Sequence, residues 1–432
     1  MAHGKRAATR SGRPIVVSDV RLERGVDDWT LSCAVDAVGL EVPERFYYTV
    51  ERAPADDQVS ASPFVPPLLL LAAYRSRDLI IDAPVSEALL DQLPAVLTLW
   101  NGWDPRAECI DVKATPIRMV RRASAAAAFF SGGVDSFYSV VANDSRYVST
   151  DPRSIRSLIF CHGFDIRLDD RDRHEFVRAE LARAAKALGK ALISVRTNAR
   201  DFVTCVDWAH HGYGPCLGGL GLALSAIADT IYVPAAYAYQ QIHAEGANGS
   251  HPFVDPLWST ENVDIVHSGG EATRAQKIAH LSRSPVALAH LRVCWQNRAG
   301  TYNCCRCEKC LRTMVELELC GVLGRMPAFP QPLTADVLRS LRIHPHLFGF
   351  WQEWLDRARR ANVDPSLCEA VERVLDGEQF QRSRTGRAMR SFVHRPLSAA
   401  GLTPSRLKQI DRAILQGRGV STFRYLRGRL RS

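Results

Sequence analysis

Residues 125–141 read AAAAFFSGGVDSFYSVV. The first six are apolar and fit a short strand buried on both faces, and Phe137–Val141 looks like the start of a helix. Between them, SGGVDS (Ser131–Ser136) sits where a strand passes into a helix. The first-turn N–H groups of a helix have no intrahelical partners and the dipole is positive there, so this position suits an anion. Gly132 and Gly133 let the backbone approach a phosphate closely. Ser131 and Ser136 can donate hydroxyl hydrogen bonds. Asp135 is the odd member, because a carboxylate repels phosphate. It makes sense if it orients loop amides or helps hold Mg²⁺. The plain alternative is a Ser/Gly turn capping a helix.

The alternation continues downstream. Arg156–Cys161 and Leu192–Val195 read as second and third strands, with a periodic helix over His174–Leu188 between them. An apolar helix at Leu217–Ile227 leads to a fourth strand at Thr230–Pro234. Ala272–Ser282 and Cys307–Leu319 read as helices and Leu291–Trp295 as a further strand. Strands alternating with helices predict a parallel sheet covered on both faces. Upstream, Pro14–Val20, Trp29–Val35, Phe46–Val50 and Leu79–Ile81 read as strands, and Pro66–Tyr74 and Val85–Leu97 as helices. The expected class is α/β. A mixed, strand-rich module covers residues 1–120, a parallel-sheet domain 121–325, a helical segment 326–378 and a basic helical tail 379–432.

Composition narrows the classes further. The 432 residues are 46% hydrophobic and 23% charged, as in ordinary globular proteins. That excludes intrinsic disorder and collagen-like chains. No apolar run approaches the ~20 residues of a membrane helix, and no apolar stretch follows the basic N-terminus, so a cytoplasmic location without a membrane span is expected. The net charge of +9 is uneven. Residues 379–432 hold thirteen Lys or Arg and one acid, a net of +12, which leaves about −3 for the rest. Such a tail can meet RNA or another anionic partner, or be a plain solvated segment.

Of twelve cysteines, Cys294, Cys304, Cys305, Cys307 and Cys310 fall within seventeen residues. Cys304, Cys307 and Cys310 offer three thiolates on a tight turn, and Cys294 lies ten residues upstream. Four sulfurs at ~2.3 Å make a closed structural zinc site. Adjacent cysteines rarely bind one tetrahedral ion together, so Cys294 is preferred to Cys305 as the fourth ligand. An iron–sulfur cluster and free thiols are the alternatives.

The chain has no Walker A sequence, and no G-x-G-x-x-G follows its first parallel strand. SGGVDS in this position resembles the signature of the PP-loop ATP pyrophosphatases over about residues 123–320. The cysteine spacing is similar to that of the zinc-containing 7-cyano-7-deazaguanine synthases within that superfamily. Those enzymes lack the N-terminal domain and the C-terminal extension. A weaker likeness, of layout only, is to a carboxylate-activating epimerase of muramoyl peptides.

The resemblance implies a HUP-like nucleotide-binding fold, with ATP, Mg²⁺ and Zn²⁺ as the bound groups. It implies cleavage of ATP between its α and β phosphates and adenylation of a carboxylate or carbonyl oxygen of a small molecule. A nitrogen nucleophile then displaces AMP. Ser131, Gly132, Gly133, Asp135 and Ser136 would bind phosphate, and Lys277 or Arg274 would stabilise the leaving pyrophosphate. Asp255 or Glu271 could hold Mg²⁺. The strand ends carrying His162, Gly163, Asp165 and Asn198 would lie under the adenosine. Cys294, Cys304, Cys307 and Cys310 would hold zinc. A sulfur transferase using Cys161 or Cys305, the epimerase reaction, and a nucleotide- or RNA-binding module without turnover are the rivals. A homo-oligomer is compatible with the sequence.

Overall fold

Five strands precede the stretch 125–141: β1 (Ile15–Arg24), β2 (Asp28–Asp36), β3 (Arg45–Glu51), β4 (Leu79–Ser86) and β5 (Val112–Ile117). Five more run from it onward: β6 (Ala126–Phe129), β7 (Ile155–His162), β8 (Ala191–Thr197), β9 (Thr230–Pro234) and β10 (Asp264–Ser268). The computed structural model describes residues 12–376, apart from 243–247, 299 and 345–346. Within these residues the ten strands form one continuous sheet, ordered β10-β9-β6-β7-β8-β3-β2-β1-β4-β5. The five from β10 to β8 are mutually parallel. β3 then pairs antiparallel with β8, joining the two halves through Tyr48 opposite Thr197 and Val50 opposite Val195. The basic tail expected over 379–432 lies outside the described residues.

Alternation along β6 shows how the layers form. Ala126 and Ala128 face one core, while Ala127 and Phe129 face the other. The second core is covered by α1 (Val65–Tyr74), α2 (Glu87–Trp103) and, beyond α3 (Val134–Arg146) and α4 (Arg171–Ala187), by α5 (Tyr213–Ala223). In α1 every residue except Tyr74 is buried, as its unbroken VPPLLLLAA run requires. The first core is covered by α3, α4 and α6 (Arg274–Leu281), and after α7 (Pro285–His290) by α8 (Glu308–Leu319). Helix α9 (Ala335–Arg339), α10 (Phe348–Arg360) and a helix at 365–376 complete this side. Trp354 of α10 donates to the Val315 carbonyl (3.0 Å), and Arg357 makes two 2.9 Å bonds to the buried Glu316 carboxylate. No helix among the described residues is long and apolar enough to cross a membrane.

Most expected elements are present, with two omissions and one correction. Strands β5 and β10 are the two edges of the sheet. β5 is largely exposed and carries Pro116, which an edge strand tolerates. β10 is only five residues long. Leu291–Trp295 is not a strand. Leu291, Val293 and Cys294 are buried and Trp295 is exposed, but the amides of this segment are claimed elsewhere. Arg292 N–H donates to the Gly132 carbonyl (2.7 Å), and the N–H groups of Val293 and Cys294 donate to Asn303 Oδ1 (2.8 and 3.1 Å). A hydrophobic run reports burial and leaves open which acceptor takes its backbone.

Candidate functional site

The strand order places β6 between β9 and β7, so the chain turns to opposite sides of β6 at the carboxyl ends. In open α/β sheets such a point is where a crevice forms. The SGGVDS loop lies there. Gly132 has φ +77°, and a Cβ on it would meet Leu181 at 2.7 Å and Arg292 at 3.3 Å. Both the left-handed backbone and the close approach require glycine. Gly133 is the N-cap of α3, with its own N–H 3.4 Å from Ser131 Oγ. The buried Ser136 hydroxyl donates to the Gly133 carbonyl (3.0 Å). Ser131 is exposed at the lip of the loop.

Asp135, Lys277 and Arg274 are far apart in sequence and meet here. Lys277 Nζ lies 3.1 Å from Asp135 Oδ1 and donates to the Ala235 carbonyl at 2.5 Å. Arg274 Nη1 is 3.6 Å from Asp135 Oδ2, and its Nη2 donates to Thr313 Oγ1 (3.1 Å). The spacing of 274 and 277 puts both on one face of α6. Lys277 is only 1% exposed. Burial, and then the neighbouring Arg312, lower Arg274 to about 10. Burial and Arg274 also lower Lys309, which feels the carboxylates of Asp165 and Asp135. One carboxylate thus faces the buried Lys277 and the largely buried Arg274, and the loop is left electropositive.

Helix α8 links this cluster to the cysteines. The Sγ atoms of Cys294, Cys304, Cys307 and Cys310 all lie within 4.8 Å of one another and all four residues are buried. Cys304 and Cys310 are 3.9 Å apart, close to the ~3.8 Å that tetrahedral Zn–S bonds of ~2.3 Å imply. The quartet could therefore hold a metal ion such as zinc. Cys305 is set apart by φ +53°, with its thiol on the Asn303 carbonyl (3.6 Å). Hydrogen bonds from Cys307 and Cys310 push Cys294 towards the thiolate. Asn303 holds the segment in place. Besides accepting from Val293 and Cys294, it donates to the carbonyls of Leu291 (2.8 Å) and Ala328 (2.9 Å). Sequence reading missed it, although it directly precedes the CCRCEKC run.

The remaining expected site residues divide. His162 is buried with Nε2 2.8 Å from the Arg167 carbonyl and stacks on His174 at 4.1 Å. Burial, then His162, lowers His174 to about 4. Gly163 has φ +112°, and any Cβ would come 1.9 Å from the Thr197 carbonyl. Asp165 is exposed, and its carbonyl accepts from Asn297 Nδ2 (2.9 Å). Asn198 is occupied at the joint between the halves: Oδ1 accepts from Tyr47 N–H (3.1 Å) and Nδ2 donates to the Arg45 carbonyl (2.8 Å).

The polar stretch 249–261 serves two purposes. Glu261 caps α2, accepting from Ser86 Oγ (2.8 Å) and Ala88 N–H (2.9 Å). Asp255 is enclosed by Ser250 Oγ (2.5 Å), His251 N–H (3.2 Å) and His267 Nδ1 (2.7 Å). With its oxygens so engaged it is poorly placed to hold Mg²⁺, and Glu271 accepts from the Tyr138 hydroxyl (3.1 Å). Nδ1 of His251 accepts from Phe253 N–H (3.1 Å). The buried Nε2 atoms of His251 and His267 have no hydrogen-bond partner among the described residues. His210 bonds to Asp207 at the entry to α5, a local role. Comparison of the chain with protein-family models, curated sequences and solved structures returned no match.

Proposed function

We propose that the protein is an ATP-using enzyme that adenylates a small molecule. The observation that carries this reading is the convergence of Lys277 and Arg274 on Asp135, beside a glycine loop at the start of α3. In this reading a carboxylate or carbonyl oxygen of the substrate attacks the α-phosphorus of ATP. The bond to the β-phosphate oxygen breaks, and pyrophosphate leaves with that bonding pair. Loop amides and the α3 dipole receive its charge, with Lys277 and Arg274 as counter-ions. A nitrogen nucleophile then attacks the activated carbon, AMP departs and the nitrogen loses a proton.

Among the described residues only the four cysteines group as metal ligands. Mg²⁺ would thus arrive with the triphosphate, keeping several of its waters. Zinc on Cys294, Cys304, Cys307 and Cys310 would be structural, a closed site with no open position. The sulfur-transfer alternative is weakened, because burial raises the thiols of both Cys161 and Cys305 away from the thiolate that sulfur relay needs.

The test is nucleotide product analysis with Mg·ATP and a small-molecule extract of the host. Formation of AMP and pyrophosphate, lost in Asp135→Asn and Lys277→Gln, is expected. Formation of ADP instead would reject the reading.

A further inference from the structure

Two other cations near the loop have no role in this scheme. Arg173 and Arg292 are each 5% exposed. Arg173, in the first turn of α4, directs Nη1 to the carbonyls of Arg298 (3.2 Å) and Thr301 (2.6 Å). Its Nε and Nη2 are buried without a hydrogen-bond partner among the described residues. Arg292 directs Nη2 to Asn297 Oδ1 (2.7 Å), and its Nε is likewise buried and unpartnered. Of the acids at the start of α4, Asp170 is engaged as the helix N-cap and Glu175 pairs with Arg178, and neither they nor Asp172 forms an ion pair with Arg173 among the described residues. Burial and the charge of Arg292 both hold Arg173 below its ordinary range. Two desolvated guanidinium groups that repel each other are costly to keep without an anion. Their position is fixed by the loop itself, because Arg292 N–H donates to Gly132 and its Cβ packs beside it. The 17-residue α4 adds the positive end of its dipole.

We propose that Arg173 and Arg292, with the N-terminus of α4, form an oxyanion subsite beside the phosphate loop. Its ligand is a carboxylate or phosphate group on the acceptor molecule, distinct from the oxygen that is adenylated. The planar forks suit either group. Assigning this anion to the acceptor rests on the adenylation reading; the anion site itself does not. The competing explanation is that the guanidinium groups offset a metal–thiolate centre, since Arg292 is two residues from Cys294.

Thermal unfolding of the zinc-loaded full chain separates these cases, with inorganic phosphate as the probe. Phosphate is titrated alone and on top of saturating pyrophosphate, and zinc content is measured for each variant. The expected result is a phosphate-dependent rise in Tm that persists with pyrophosphate present. Arg173→Gln and Arg292→Gln should each shift the phosphate midpoint at least tenfold and leave the pyrophosphate midpoint within twofold. Lys277→Gln should do the reverse. If a Gln variant does not fold, the Lys variant at that position, which keeps the charge and loses the fork, should still weaken phosphate severalfold. No phosphate increment over pyrophosphate, or variants that titrate as wild type, overturns the proposal. So does loss of zinc with an unchanged phosphate titration. A phosphate response without any pyrophosphate response would instead sink the adenylation reading and leave the subsite standing.

Discussion

The two halves of the sheet differ in how they treat buried polar groups. Eleven buried side-chain nitrogens lack a hydrogen-bond partner among the described residues, and all belong to residues 173–312. The half built from β1–β5 has none. Its buried polar atoms close on one another, as where Ser62 Oγ accepts from Ser86 N–H (2.9 Å). Buried polar groups are satisfied almost everywhere in folded proteins, because leaving one unpaired costs about 1–3 kcal/mol. Such groups are ordinarily satisfied by ordered water or a bound ion, and here they gather on one side. The unpartnered buried groups are thus confined, among the described residues, to the parallel half.

Removing the metal site should break this asymmetry most severely. Cys310→Ser is expected to abolish stoichiometric zinc binding and to destabilise the fold by about 5 kcal/mol or more. The loss should be concentrated around α8 and the SGGVDS loop, because Arg292 and Asn303 connect them. Hydrogen exchange that opens these segments while β1–β3 stay protected would show it. Uniform opening would mean that the halves are one cooperative unit.

Asp135→Ala comes next. It leaves Lys277 and Arg274 buried without their carboxylate, at a cost of about 3–5 kcal/mol by chemical denaturation. Its counterpart in the other half is Asp19, which bridges Arg21 and Arg45 at the surface. Asp19→Ala should have little effect, since exposed ion pairs are weak. Equal effects would erase the contrast.

His174 gives a pH signature. Its folded value of about 4 lies below the ordinary 6.5 because burial and His162 disfavour the cation. The folded state therefore binds fewer protons than the unfolded chain between these values. Stability contributed by the neutral ring is present above about pH 6.5 and is lost as pH falls towards 4, by about 3 kcal/mol in all. His174→Phe should flatten this part of the profile. An unchanged slope would reject the assignment.

A more modest effect is expected at the joint. Asn198→Ala removes two side-chain hydrogen bonds between β8 and β3, worth about 2 kcal/mol together. It should also separate the unfolding of the halves if anything does. A single unchanged transition would make the shared core, rather than Asn198, the coupling element.

Much of this was readable along the chain. The β6–loop–α3 junction is a local pattern of an apolar run, two glycines and a helix start, so neighbours in sequence suffice to see it. The cysteine quartet is similarly local, and α6 carries Arg274 and Lys277 at a helical spacing. Leu291–Trp295 was misread because burial looks alike in strand and coil. The edge strands β5 and β10 were missed because edges need neither length nor continuous hydrophobicity. Asp255 was singled out as a candidate Mg²⁺ ligand, but its partner His267 lies twelve residues on and only folding makes them a pair.

The sequence by itself determined that β6, β7, β8 and β9 are apolar enough to form strands, where the glycine loop must fall and that the metal-ligand candidates crowd into residues 294–310; the structure chose Cys294 over Cys305. These depend on local periodicity, backbone freedom and spacing. The tertiary structure decided that the N-terminal strands extend the same sheet through β3 and β8. It also decided that the Cys294 segment docks on Gly132, and that Asp135 faces Lys277 and Arg274. Those outcomes turn on which distant partner satisfies each buried amide and charge, and that competition is settled only when the whole chain is packed.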